Sequence, residues 1–166
     1  MWIAVAAAVV VVVALAAFQI SPWPAALVIR TLFDRGGDAA ASALVKHVPP
    51  GVAEQLNLSY DPADSDAKLD VFYPAEIEGA GRTRLTIVWT HGGGWLSGSK
   101  EQIANYARIL ASRGFTVVGV DYSIAPGATY PTPLRQVNAA LAYLQANAAK
   151  LHIDPKRIVL AASRWK

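Results

Sequence analysis

A chain of 166 residues with a formal charge of +3, 54% hydrophobic residues and no cysteine has room for one domain plus an apolar segment, and it excludes disulfide and thiolate chemistry. The basic residues fall in scattered pairs, Arg82/Arg84, Lys156/Arg157 and Arg164/Lys166, with no stripe interleaved with aromatics, so no nucleic-acid surface is expected. The three histidines, His47, His91 and His152, are too dispersed for a metal-ligand set, and neither a metal nor a cofactor is expected.

Charge is missing from the start of the chain. Residues 1–29 carry no charged side chain, and residues 2–18 are an unbroken apolar run, at the lower edge of the roughly 17–25 residues that cross a bilayer. A membrane anchor over residues 1–29 is expected. The alternative is a cleaved signal segment with Ala14-Leu15-Ala16 as its small-residue site and secretion as the outcome; the absence of Lys or Arg ahead of the run weighs against it. Arg30 and Arg35 favour a cytoplasmic location for the C-terminal side of the run, and Trp23 is placed for an interfacial ring. Residues 30–53 read as a juxtamembrane connection with a short helix over 38–47, stopped by Pro49-Pro50. His47 reads as a surface residue there, and residues 54–166 as the domain.

Residues 55–60 alternate, with Leu56, Leu58 and Tyr60 on one face, which predicts a half-buried strand. The Asp- and Pro-rich residues 61–66 supply a turn and residues 68–73 alternate again, so an antiparallel hairpin is expected. The pattern then changes to runs that are apolar on both faces, at 85–89, 115–120 and 158–161, as in a parallel sheet covered by helices. Between the first two, a helix is expected to start at Ser99, whose hydroxyl with Gln102 makes a capping-box pattern, and to stop at Gly114. Between the second and third, Thr132 and Pro133 open a helix whose apolar stripe reads Leu134, Val137, Leu141, Leu144, Ala148 and Leu151. The order predicts an α/β fold: an antiparallel hairpin, then parallel strands with right-handed crossover helices, preceded by a hydrophobic N-terminal helix. His152, between helix and strand, reads as a polar loop residue.

The chemistry concentrates at Thr90-His91-Gly92-Gly93-Gly94-Trp95. Three consecutive glycines belong where side chains must be absent or φ positive, and a strand that ends there and opens a helix gathers unpaired N–H groups, an anion-binding geometry. One reading is a tight turn without a ligand. A second is a dinucleotide site: Gly92 to Ser97 is a near miss to G-x-G-x-x-G, and Asp121 ends the next strand as a ribose-binding acid would, although Trp95 is bulky where helix and strand should meet. The third is an oxyanion hole.

For that third reading the sequence resembles the α/β-hydrolase superfamily, in particular its hormone-sensitive-lipase-like and feruloyl-esterase-like carboxylesterases. The motifs are His91-Gly92-Gly93-Gly94-Trp95, Asp121-Tyr122-Ser123-Ile124-Ala125-Pro126, Tyr130-Pro131-Thr132-Pro133-Leu134 and Asp154 to Ala161, in the family's order over roughly residues 55–162. The resemblance implies that Gly93 and Gly94 donate the oxyanion-hole N–H groups. It also implies that His91 braces the loop and is not the catalytic base, and that an intact member takes a small ester substrate.

The sequence then departs from the family. Where the family turns through Gly-x-Ser-x-Gly, this chain has Ala161-Ala162-Ser163-Arg164-Trp165-Lys166. Arg164 stands at the nucleophile position, Ser163 is one residue early, and Trp165 would replace a glycine that lets helix and strand approach. The triad's acid and base come after the serine in this superfamily, so both would lie beyond Lys166. The expectation is a truncated, inactive hydrolase with an apolar edge at 158–161. The rival is a non-catalytic, membrane-tethered remnant that binds a partner such as a complementing C-terminal half.

Overall fold

The computed structural model describes residues 1–163. Two helices come first, α1 (Trp2–Ile20) and α2 (Trp23–Leu44), joined by Ser21-Pro22. They are followed by β1 (Val52–Ser59), β2 (Lys68–Pro74), β3 (Arg84–Thr90), α3 (Glu101–Ala111), β4 (Thr116–Val120), α4 (Thr132–Ala146) and β5 (Ile153–Ala162). The strands form a sheet in the order β1-β2-β4-β3-β5. β1 pairs antiparallel with β2 and β2 with β4, while β4, β3 and β5 run parallel. The expected hairpin and parallel strands are both present, but the expected alternation within the hairpin is not. Leu56 is exposed because the register shifts between Gln55 and Leu58, where Asn57 has φ 55°, and β2 is buried on both faces.

Alternation along the strands divides the core into two layers. Phe72, Val117 and Ile87 lie in register across β2, β4 and β3 and pack with Ala107 and Ala111 of α3 on one face. Val71, Val118 and Val88, one residue along, pack on the other face with Ala140 and Leu144 of α4. Each buried Val, Leu or Phe among these is worth about 1.5–3 kcal/mol of burial. The loops after β3, β4 and β5 consequently converge at one end of the sheet.

Several expectations about individual elements change. Of the expected apolar stripe, Leu144, Ala148 and Leu151 are buried and Val137 and Leu141 half-buried, but Leu134 is exposed, and Pro133, Gln136 and Ala140 are buried beside the stripe. Gln136 goes inward because its amide accepts from Ser123 N–H (2.8 Å) and donates to Asp64 (2.7 Å). Ser99 makes no side-chain cap on α3; the Gln102 amide donates instead to Asp38 of α2 (3.1 Å). Gly114 does end α3, with φ 95° and its N–H on the Ala111 carbonyl. β5 begins at Ile153, earlier than expected, and admits Pro155 because it is an edge strand with a register shift at that end. His152 is buried, its Nδ1 3.0 Å from the Arg82 carbonyl and its ring 4.4 Å from Tyr73.

The largest difference lies in residues 30–53. The short helix expected over 38–47 is the end of α2, which runs through Gly36 and Gly37. Gly37 is buried, and any Cβ there would collide with the Gln102 side chain of α3. A larger side chain at this position would have to displace the end of the Gln102 side chain. His47 is exposed, as expected. α1 is long and apolar enough to cross a membrane and buries none of its residues.

Candidate active site

β3 ends at Thr90, and the chain then turns back on itself. Gly93 and Gly94 have φ of 113° and 62°, Trp95 has 65°, and Leu96 N–H closes a turn on the Gly93 carbonyl at 3.0 Å. A Cβ on Gly93 would run into the Ser97 carbonyl, and one on Gly98 into the Gly92 carbonyl and the His91 ring. The glycines at 93 and 98 are thus required by space as well as by φ.

Three groups hold this loop. Beneath it the His91 ring is buried, stacks on Tyr122 at 4.1 Å and places Nδ1 2.9 Å from the Gly92 carbonyl; Tyr122 in turn donates to the His91 carbonyl at 2.8 Å. Above it, Arg30 of α2 donates from Nε to the Leu96 carbonyl and from Nη2 to the Ala125 carbonyl, both at 2.8 Å, tying the loop after β3 to the loop after β4. Asp34, one turn on, accepts from Gly98 N–H at 3.0 Å. At its far end, Asp121 accepts from Lys100 N–H at 2.7 Å. The Lys100 ammonium, only 2% of its residue exposed, is shared by Glu101 (2.6 Å), Asn57 (2.9 Å) and Asp70 (3.0 Å).

Burial sets the charge states. It lowers the His91 pKa against the carbonyls of Gly92 and Ser97, which act to raise it, so the imidazole is neutral near pH 7. Burial raises the Asp121 carboxyl to about 6, opposed by the Lys100 N–H. Their nearest approach, His91 Nε2 to Asp121 Oδ1, is 3.9 Å, too long for a hydrogen bond. Burial works against the Lys100 ammonium, but its bonds to Glu101 and Asp70 carry its pKa upward.

A cleft of about 480 Å³ opens beside the loop, lined by residues 90–96, Tyr122, Ala162 and Ser163 and, from α2, by Ile29 and Phe33. Among the described residues, no acceptor is paired with the N–H of Gly93 or Gly94. Ser163 lies across the cleft at the end of β5, with its N–H on the Thr90 carbonyl (3.2 Å) and its hydroxyl accepting from the Trp89 indole (2.8 Å). No histidine bonds a serine hydroxyl among the described residues. Arg164 and Trp165 lie outside the described residues. The dinucleotide geometry does not form: α3 starts at Glu101, well after the glycines, and the Asp121 carboxylate is committed to Lys100. Among the described residues no cluster of three or more His, Cys, Asp or Glu could hold a metal.

The α2 contributions were not legible as site residues. Their signal is the spacing Ala26, Arg30, Asp34, Gly37 and Ala41 along one helix face, which places both charges on the side that meets the loop.

Comparison with known proteins agrees with this architecture. The chain is 36% identical over 110 residues to carboxylesterase NlhH of Mycobacterium tuberculosis, covering 65% of this chain and 33% of that one. It is 31% identical over 80 residues to an acetyl esterase of Salmonella paratyphi B, covering 48% and 25% respectively. The crystal structure of esterase B from Lactobacillus rhamnosis superposes with a TM-score of 0.70 at 27% identity, over 84% of this chain and 45% of that one. The chain thus spans about a third or less of these curated relatives and under half of this solved neighbour. A family model described as BD-FAE matches residues 69–163, more than half of the chain, so this protein belongs to that family, among the esterase-type, hormone-sensitive-lipase-like α/β-hydrolases.

Proposed function

We propose that the chain forms the oxyanion side of a carboxylic ester hydrolase. The supporting observation is the pair of unengaged N–H groups of Gly93 and Gly94 in the lining of the cleft. As an ester carbonyl is attacked, its oxygen gains charge, and preorganised donors about 2.7–3.1 Å from that oxygen stabilise it, each worth roughly 10²–10³ in rate. His91 acts here as a brace: its Nδ1 meets the Gly92 carbonyl and its ring is stacked under the loop, which leaves no part for it as general base. Esterase B of L. rhamnosis, the structural neighbour, is inhibited by a tributyrin phosphonate, in keeping with an acyl ester as the substrate class.

On their own these 166 residues do not complete the reaction. Ser163 lines the cleft, and among the described residues its hydroxyl is bonded to Trp89 and to no imidazole, and loss of the base removes most of what a nucleophile supplies. Incubated with a short p-nitrophenyl ester the chain is expected to give no turnover above background, and a fluorophosphonate is expected to leave it unlabelled. Labelling that maps to Ser163 would overturn this reading.

The second reading, a half that binds a complementing segment, is favoured by the β5 edge, where Val159 and Leu160 are exposed. Co-expression with the C-terminal part of an esterase relative is then expected to restore labelling on the added serine. Failure to co-purify would remove it. α1 is assigned as the membrane anchor, with a signal segment as its alternative.

A further inference from the structure

α2 has two functions to serve at once, and its faces divide accordingly. Arg30 and Asp34 turn inward to the glycine loop, so the first charged side chain on the outer surface is Arg35. Ahead of it the outer positions are apolar and unusually bare: Leu27 is 51% exposed, Val28 53% and Leu32 63%. With Thr31 they surround a shallow depression of about 280 Å³. Trp23, half exposed, stands at the joint with α1, its ring against the turn at Gly127. α1 itself is apolar all round and buries nothing.

We propose that this outer face of α2, residues 27–32, docks in the interfacial region of the lipid bilayer that α1 enters. The proposal rests on the assignment of α1 as a membrane anchor. What identifies the occupant as lipid is continuity: with only Ser21-Pro22 between the helices, an uncharged surface runs from α1 onto α2 and stops where the first outward charge appears. An amphipathic helix with one such face lies in the plane of the headgroups with its apolar side buried roughly 5–10 Å, and Trp at the joint suits that depth. Residues 27–32 span about 8 Å of helix, enough to place the strip within that layer while Arg35 returns to water. The cleft-lining Ile29 and Phe33 sit on the same turns, so the glycine loop is held about one helix diameter from the lipid, within reach of an amphiphilic ester.

Because the chain has no cysteine, single substitutions can carry an environment-sensitive fluorophore. The full chain is reconstituted in phosphatidylcholine–phosphatidylglycerol vesicles with brominated acyl chains, labelled in turn at Val10→Cys, Leu27→Cys, Leu32→Cys, Asp38→Cys and, as an exposed control on α4, Gln145→Cys. Labels at 27 and 32 are expected to lose at least half their emission to the brominated lipid, the label at 10 to lose more, and those at 38 and 145 to be unchanged. Quenching at 10 without quenching at 27 and 32 overturns the docking face and leaves the anchor standing, whether another protein segment or a second copy covers the strip. No quenching at 10 removes the anchor and the proposal with it.

Discussion

The two walls of the cleft are built differently. The glycine-loop wall is held from three sides: by the His91 and Tyr122 rings below, by Arg30 and Asp34 above, and by the Lys100–Asp121 contact at the end of the loop. The opposite wall is Ala162, at the end of the β3–β5 ladder, and Ser163, whose bonds among the described residues are its N–H to the Thr90 carbonyl and its hydroxyl from the Trp89 indole, next to a strand that leaves Val159 and Leu160 in solvent. The first wall is braced by side chains from α2 and from the loops after β3 and β4. The second adjoins an edge strand with apolar side chains exposed on both faces.

The most damaging substitution should fall on the first wall. Lys100→Met leaves Asp70 buried beside Asn57 without its cation, and removing one partner of a buried pair costs about 3–5 kcal/mol. Denaturant unfolding of the full chain in detergent measures it; a loss below about 1 kcal/mol would mean the charge cluster does not hold the loop.

Acidity offers a second way to break the comparison. With the Asp121 carboxyl raised by burial from 3.8 to about 6, the folded chain binds protons more tightly than the unfolded one, so this residue's contribution is fully present below pH 4 and lost as pH rises to about 6. The whole shift corresponds to at most about 3 kcal/mol. Asp121→Asn keeps an acceptor for Lys100 N–H without titrating. The variant should therefore gain on the parent between pH 4 and pH 6.5, and parallel stability curves would refute the assignment. His91, lowered by burial, works in the opposite sense, since its contribution is present above pH 6.5 and lost on acidification; it is common to both proteins and cancels in the difference.

Smaller effects sharpen the picture further. Arg30→Ala removes two bonds to carbonyls from a part-buried guanidinium, at about 1.5–3 kcal/mol for charge-assisted bonds. Its fingerprint is local: amide exchange at Leu96 to Gly98 and at Ala125 should accelerate while β2 and β4 keep their protection. On the other wall, Val159→Lys should change stability by no more than about 0.5 kcal/mol, yet reduce concentration-dependent association, since a charge on an edge strand discourages further pairing. Unchanged light scattering would show that the β5 edge is not a sticky surface.

Some of this was readable from local pattern. The turn-rich residues 61–66 between two strand-like runs located the hairpin, although its expected alternation fails at Leu56 and in β2; two-sided apolar runs located the parallel strands, Gly114 and Thr132-Pro133 marked helix ends, and three glycines after a strand marked the loop. The misses in the helices share a cause. Ser99 does not cap through Gln102, because Gln102 is bonded to Asp38, 64 residues away in sequence; at the start of α4, Gln136 is buried and Leu134 exposed, because Gln136 finds Asp64 and Ser123. A helix whose polar residues are drawn inward by distant partners defeats any reading of its own periodicity.

The sequence alone therefore determined the elements, the sheet type and the glycine loop, since these depend on propensities and spacings within a few residues. Only the tertiary structure decided that α2 closes over that loop, that Arg30 joins the loops after β3 and β4, and that Gly93 and Gly94 have no acceptor for their N–H groups among the described residues. Those outcomes depend on hydrogen bonds between segments 64–95 residues apart, and their formation rests on which surfaces folding brings into contact.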